Sequence, residues 1–303
     1  MGNLKETVHK NCHAYSGGIK LLAEKLSLHT NTLHNKCNAR MTSSHLNLQE
    51  ALVVMHLSQD ISILRLLCRK THHACVSSET FQNISDMVLF EAWTSCDMEH
   101  GITAKIIRDA LQDKCIDNTE FQKIRSEMFI DFSRQLELLD RLRQFSGHTE
   151  TTPVNNDLTL INAIYETIHN TSKKPTEIAS SINLRESELR KKSDPNNPDD
   201  ILTVEETLSL MSETKNYSIL YALGKELRHT CVAIPLYDGI NDMELLDAWS
   251  SWSDERGDTV SVIHTSLMDG TIEYDELAHI EEEMFQDFHT ELALLARLWL
   301  MIQ

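Results

Sequence analysis

Nine polar residues near the start of the chain are of the types that could read a nucleic acid. Asn31, Thr32, His34, Asn35 and Lys36 share one face of a short helical stretch, with Leu33 on the other. Asparagine presents a donor and an acceptor that match an adenine edge, and lysine donates to guanine acceptors, so these five are candidate base contacts in double-stranded DNA. Lys20, Lys25, Thr30 and Arg40 flank them. They are candidate phosphate contacts, which position a protein on a duplex without reading its sequence. A packing domain whose surface helix is merely polar fits the same pattern, and spacing alone leaves both readings open.

Two other strings invite chemistry. His73-Ala-Cys75-Val76 recurs as His229-Thr-Cys231-Val232, and thiolate with imidazole suits zinc. Each copy supplies only two ligands, and no third candidate follows at regular spacing. The strings are therefore read as packed structure at a junction, and neither a metal nor a cofactor is expected. Asp269-Gly-Thr-Ile-Glu-Tyr-Asp-Glu276 resembles the later half of a calcium loop, but the first and third loop positions would fall on Thr265 and Leu267, which carry no carboxylate. A hairpin turn plugged by an inward Ile272 accounts for it better. There is no glycine-rich phosphate loop, GxSxG elbow or HExxH string. Nine glycines and five prolines in 303 residues also leave few loops to carry an active site. The expectation is that the protein is not an enzyme.

The elements that must position the nine residues are helices. No proline precedes residue 153, and apolar residues recur at three-and-four spacing. Helices are expected over 4–15, 19–26, 30–38, 47–55 and 61–69, with Thr30 and Asp60 as caps. Ser27-Leu28-His29 joins the second to the third, and with Ala23, Leu28 and Leu33 has the spacing of a helix-turn-helix. A long helix over 84–111 follows. A second carries the stripe Phe121, Ile124, Met128, Phe132, Leu136, Leu139 and Leu142. Together they make an antiparallel hairpin with more apolar surface than it can leave exposed, so it should pack on a sister hairpin or on another chain.

That sister exists, because the chain is written twice. Trp93 and Trp249 lie 156 positions apart. At the same offset stand His13/His169, Ala23/Ala179, Leu33/Leu189, Lys36/Lys192, Glu50/Glu206 and Glu127-Met-Phe129/Glu283-Met-Phe285. A period this long suits a duplicated domain rather than a solenoid. The expected fold is all-α: two tandem copies of a helix-turn-helix head of about five short helices, each followed by a long helical hairpin. The expected boundaries are a head over 1–76, a hairpin and association module over 77–147, a linker over 148–157, a second head over 158–232 and a second hairpin over 233–303.

Charge separates the copies. Residues 1–76 hold nine Lys and Arg against four Asp and Glu, a balance of +5, with eight of the fifteen histidines. Residues 77–150 hold eight against fourteen, or −6, and residues 151–303 hold eleven against twenty-eight, or −17. A polyanion would be met by the N-terminal quarter. No apolar run approaches the roughly 20 residues of a membrane span. The first fifteen residues are too polar for a signal peptide. Seven cysteines without a CxxC pair argue for reduced thiols. A cytoplasmic protein is expected.

Gly17-Gly18-Ile-Lys-Leu-Leu-Ala-Glu-Lys-Leu26, followed by Thr32-Leu33-His34-Asn35-Lys36-Cys37-Asn38, resembles the CII-type regulatory proteins of temperate, P2-like phages. In those, a glycine pair opens the second helix and a T-L-x-N-K-x-N run forms the recognition helix. Leu46-Asn-Leu-Gln-Glu50 and the acidic hairpin after Met87 extend the likeness over most of residues 1–145. The resemblance implies a repressor-like helical head and a role in transcription regulation. The second copy departs from it: Lys173-Lys174 replaces the glycine pair, Glu186 and Glu188 replace Thr30 and Thr32, and Asn196 replaces Arg40. Carboxylates aimed at phosphate repel it, so the second head is expected to keep the fold and lose most DNA affinity. One function class is thus a DNA-binding regulator whose hairpins associate repeats or chains. The other is an acidic adaptor that binds another regulator or polymerase through its C-terminal half, with a vestigial helix-turn-helix.

Overall fold

The computed structural model describes residues 3–38, 40–41, 44–77, 86–113, 115–147, 159–194, 197, 200–237 and 241–302. The expected linker over 148–157, Lys114 and Asn196 lie outside the described residues. The architecture is all-α in two repeated halves, as the repeat implies. The first half runs α1 (Leu4–Ala14), α2 (Gly18–Lys25), α3 (Thr30–Cys37), α4 (Leu48–Ser58), α5 (Ser62–Lys70), β1 (His73–Ser77), α6 (Asp86–Ala110) and α7 (Asn118–Phe145). The second runs α8 (Leu160–His169), α9 (Pro175–Ser181), α10 (Glu186–Lys192), α11 (Val204–Thr214), α12 (Ser218–Glu226), β2 (His229–Ala233), α13 (Asp242–Ser266) and α14 (Tyr274–Leu300). The two His-x-Cys strings are the exception to a helical chain. Each is a strand too short to stand alone, and it pairs with its sister in a two-stranded sheet. Among the described residues no helix is long and apolar enough to cross a membrane.

The chain forms two compact units, and each takes its parts from both copies. The first comprises Met1–Cys75 and Asn155–Cys231, so the two heads fold as a pair. Their apolar residues make one continuous core, with Leu22, Leu33, Leu64, Leu189, Leu202 and Leu220 fully buried. Burying a leucine contributes about 1.5–3 kcal/mol, and no head has to close its core alone. A backbone clasp joins them. The N–H of Leu48 donates to Leu202 O (2.9 Å), and the N–H of Val204 donates to Leu46 O (3.2 Å). Both donors sit in first helical turns, where an N–H has no partner within its own helix.

Wholly reduced thiols, the expectation from cysteine spacing, need correction. Cys12 on α1 and Cys37 on α3 are buried side by side and form a disulfide across 25 residues. Tertiary packing of α1 against α3 brings them together, which sequence spacing does not reveal. A loop of that length lowers the entropy of the unfolded chain enough to stabilise the fold by about 3 kcal/mol. Ile168 and Ser193 stand at the matching positions, so copy two has no counterpart.

The second unit, Val76–Val154 with Val232–Gln303, holds both hairpins, and α7 packs against α14. The sister hairpin within the chain is thus what covers the exposed stripe. Ile116 and Ile272 plug the two turns. Asp269 Oδ1 accepts from the N–H and hydroxyl of Thr271, both at 3.0 Å, which closes the turn.

Its core carries a polar layer built from repeat-related pairs: His100/Arg256, Thr103/Thr259, Asp131/Asp287 and Gln135/Glu291. Arg256 lies 3.6 Å from Asp287 and donates to Asp97 Oδ1 at 2.8 Å. His100 lies 3.3 Å from Asp131. Gln135 donates to Glu291 across the pair (3.2 Å). Burial pushes the Asp287 carboxyl up to about 6, against the pull of Arg256 and His100. Burial, and then the charges of Asp131 and Asp287, push Glu291 well above the usual carboxylate range. Buried carboxylates keep protons when the protein supplies too few cations.

Candidate nucleic-acid interface

The candidate face is built by α2, α3 and the turn between them. Gly18 opens α2 with φ +73°, a backbone region that favours glycine. Leu22 and Ala23 point into the core and leave Lys20 and Lys25 in solvent. The turn is a Schellman motif. The N–H of Ser27, at φ +54°, donates to Glu24 O (3.0 Å), and the N–H of Leu28 donates to Ala23 O (2.8 Å). Copy two repeats it: Asn183 has φ +59° and donates to Ser180 O, while Leu184 donates to Ala179 O at 2.8 Å. The turn geometry is therefore a property of the fold, independent of what the surface does.

His29, not Thr30, caps α3. Its Nδ1 accepts from the N–H of Asn31 at 3.3 Å, and Thr30 is the half-buried first helical residue. Leu33 and Cys37 anchor the inner face one turn apart. Asn31, Thr32, His34 and Asn35 are exposed. His9 stacks near His13, with ring centroids 4.4 Å apart. His13 is made less basic than usual, first by partial burial and then by the charges of His9 and His34.

Lys36 departs from the expected set. Its ammonium is held by both oxygens of Glu50, at 2.6 and 2.8 Å. Glu50 is already the third residue of the capping box of α4. Its N–H donates to Asn47 Oδ1 (2.7 Å), and its Oε2 accepts from the N–H of Asn47 (2.9 Å). Lys36 therefore ties the C-terminal end of α3 to the start of α4 and is not free for a base edge. Copy two keeps the same device, with Lys192 on both oxygens of Glu206 at 2.8 Å and Thr203 in place of Asn47.

The outer charges differ between copies. Lys20, Lys25 and Arg40 are exposed, and among the described residues no carboxylate lies within ion-pairing distance of them. On α10 the cations are matched. Arg190 pairs with Glu186 at 2.6 Å and Lys191 with Asp200 at 2.8 Å, and Lys192 has Glu188 at 3.8 Å besides Glu206. The hydrogen bond and charge of Asp200 raise the pKa of Lys191 further. Among the described residues, the first head thus offers exposed cations without ion pairs, whereas in the second the three cations of α10 are paired and Arg185, at its N-cap, is exposed without an ion pair.

The pattern of a family described as Phage regulatory protein CII (CP76) matches residues 3–144 and, a second time, residues 159–298. The chain belongs to this phage regulatory protein family. Each match spans one head and its hairpin, so the CII unit is the half-chain and this protein carries two. No curated protein and no solved structure matches the chain.

One group of potential metal ligands escaped the sequence. Cys68 at the end of α5 joins Cys75 and Cys231, and the three Sγ atoms lie within 4.8 Å of one another. The signal was a third thiol seven positions before Cys75, but Gly224 replaces it in copy two, so the repeat concealed it.

Proposed function

We propose that this CII-family chain is a DNA-binding transcriptional regulator of phage or mobile-element type, in which copy one reads the duplex and copy two pairs with it as architecture. The observation that carries the reading is the exposed, uncompensated face of α2 and α3 beside an α10 whose cations are matched by carboxylates. Asn31, Thr32, His34 and Asn35 contact base edges in the major groove. Lys20, Lys25, Arg40 and the hydroxyl of Thr30 contact phosphates. Lys36 sets the angle of the reading helix through Glu50.

The test is selection from random duplexes with the full chain, since residues 1–150 alone would remove half of each unit. Asn35→Ala should cost about 1–3 kcal/mol on the selected site and flatten discrimination at one base pair. Lys20→Ala should weaken all sequences alike. Failure to enrich any sequence, with uniform binding erased by salt, would overturn the reading. It would leave the acidic adaptor, in which the second half, at −17, meets a basic partner.

A further inference from the structure

We infer that Cys68, Cys75 and Cys231 form a three-thiolate site for a thiophilic metal ion of the zinc class, joining the two heads at the strand pair. The site is independent of DNA reading. Cys68 comes from α5, Cys75 from β1 and Cys231 from β2, so three elements of both copies converge on it. The Sγ atoms of Cys68 and Cys231 are 3.6 Å apart, and all three lie within 4.8 Å. Zinc–sulfur bonds of about 2.3 Å in a tetrahedron place neighbouring sulfurs about 3.8 Å apart, whereas a disulfide needs about 2.05 Å. The Cys68–Cys231 pair is close to the first spacing, and Cys75 lies within 4.8 Å of both. Among the described residues it is the one such group of potential ligands.

The surroundings fix the ligand count. Cys75 and Cys231 are repeat-related, but the counterpart of Cys68 is Gly224, where a Cβ would meet His229 O at 2.6 Å and Cys231 Sγ at 2.9 Å. A fourth thiol has no room. His73 has both ring nitrogens engaged, on Thr71 O (2.8 Å) and the Tyr221 hydroxyl (3.2 Å), and is not a ligand either. Cys75 is the partly exposed member, which would leave the fourth position of a tetrahedral ion to a solvent ligand. Binding exchanges thiol protons for the ion, releases them to solvent and changes no oxidation state. Thiolates select zinc or cuprous ions over magnesium or calcium.

The probe is Co(II), added to the full chain, freed of metal and reduced, in a Cys115→Ser background that removes an unrelated half-exposed thiol. One equivalent should produce thiolate-to-cobalt charge-transfer bands and tetrahedral d–d bands, and zinc should abolish both. Zinc loading should protect three thiols from a disulfide reagent. Cys75→Ser, the half-exposed position, should keep the helical circular dichroism and lose about a third of the charge-transfer intensity, as one of three sulfur ligands goes. Zinc loading should also raise the melting temperature, because only the folded heads hold the ligands together. Three outcomes overturn the inference: no charge-transfer band and no thiol protection, bands that survive Cys68→Ser with Cys231→Ser, or isolation of a disulfide among the three from reducing buffer.

Discussion

If copy one alone carries the phosphate contacts, the salt dependence of DNA binding counts its free cations. Lys20, Lys25 and Arg40 are exposed, and among the described residues they have no carboxylate partner. Each phosphate neutralised contributes about −0.9 to the slope of log K against log salt, so three give about −2.7. Raising salt from about 50 to about 200 mM should then weaken binding about 40-fold. Lys25→Ala removes a solvent-facing side chain from the last position of α2 and leaves the Schellman turn intact. Its slope should fall to about −1.8 and its loss over the same salt range to about 12-fold. The assay is fluorescence anisotropy with a labelled duplex carrying the selected site, wild type and variant measured at matched salts. A wild-type slope near −6 would mean that Arg185 and the carboxylate-paired Arg190, Lys191 and Lys192 also reach phosphate, refuting the division between copies. A slope unchanged by Lys25→Ala would remove that residue from the interface. Conversely, Glu186→Thr with Glu188→Thr frees Arg190 from its 2.6 Å pair, and affinity and slope should both rise.

Three further outcomes follow from the geometry. A double-mutant cycle on Lys36→Met and Glu50→Gln should give a coupling of about 1–2 kcal/mol, above that of exposed pairs, and Lys192 with Glu206 should match it; a coupling near zero in urea melts would deny the positioning role. Asp287 has its folded pKa raised to about 6 from 3.8, so the native state holds the extra proton between those values. Stability from this group is therefore present at low pH, falls by at most about 3 kcal/mol as pH rises through that window, and is flat above it. Melting Asp287→Asn beside wild type from about pH 4 to about pH 7 should show the variant gaining relative to wild type, and a pH-independent difference would contradict the origin of the shift. Gly224→Ala places a methyl 2.6 Å from the backbone carbonyl of His229. It should destabilise the first unit by about 2 kcal/mol, and an unchanged melting temperature would show that the strand pair yields freely.

Sequence patterns revealed this fold where the determinants are local. Helices α1 to α5 follow apolar spacing, and Ala23, Leu28 and Leu33 mark the turn because a Schellman motif needs residues close along the chain. The repeat announced that each hairpin has a sister, and α7 does pack on α14. Long-range pairings were not legible. The register match of Lys36 with Lys192 and of Glu50 with Glu206 stood in the sequence as two separate repeats. Only the fold shows that each lysine meets its glutamate, so a candidate base contact becomes a clamp. Cys12 with Cys37 and Cys68 with Cys231 escaped for the same reason: separations of 25 and 163 residues carry no periodic signal.

The repeats also separate what the fold requires from what the surface is free to change. Both copies keep the turn hydrogen bonds, the lysine–glutamate clamp and its capping box, and these lie inward or at helix junctions. The exchanges fall on outward positions: Thr30 becomes Glu186 and Thr32 becomes Glu188. In a dimer of identical chains, a carboxylate placed on the reading helix appears in both heads and repels phosphate twice. Joining the copies in one polypeptide removes that constraint, because the second head can turn acidic while remaining the packing partner that completes the core of the first. Restoring threonine at 186 and 188 therefore tests whether surface charge alone distinguishes the copies. If DNA affinity rises with the melting temperature unchanged, charge is sufficient. If the variant still does not respond to DNA, the difference lies in the seating of α10, and the clamp at Lys192 is the place to look.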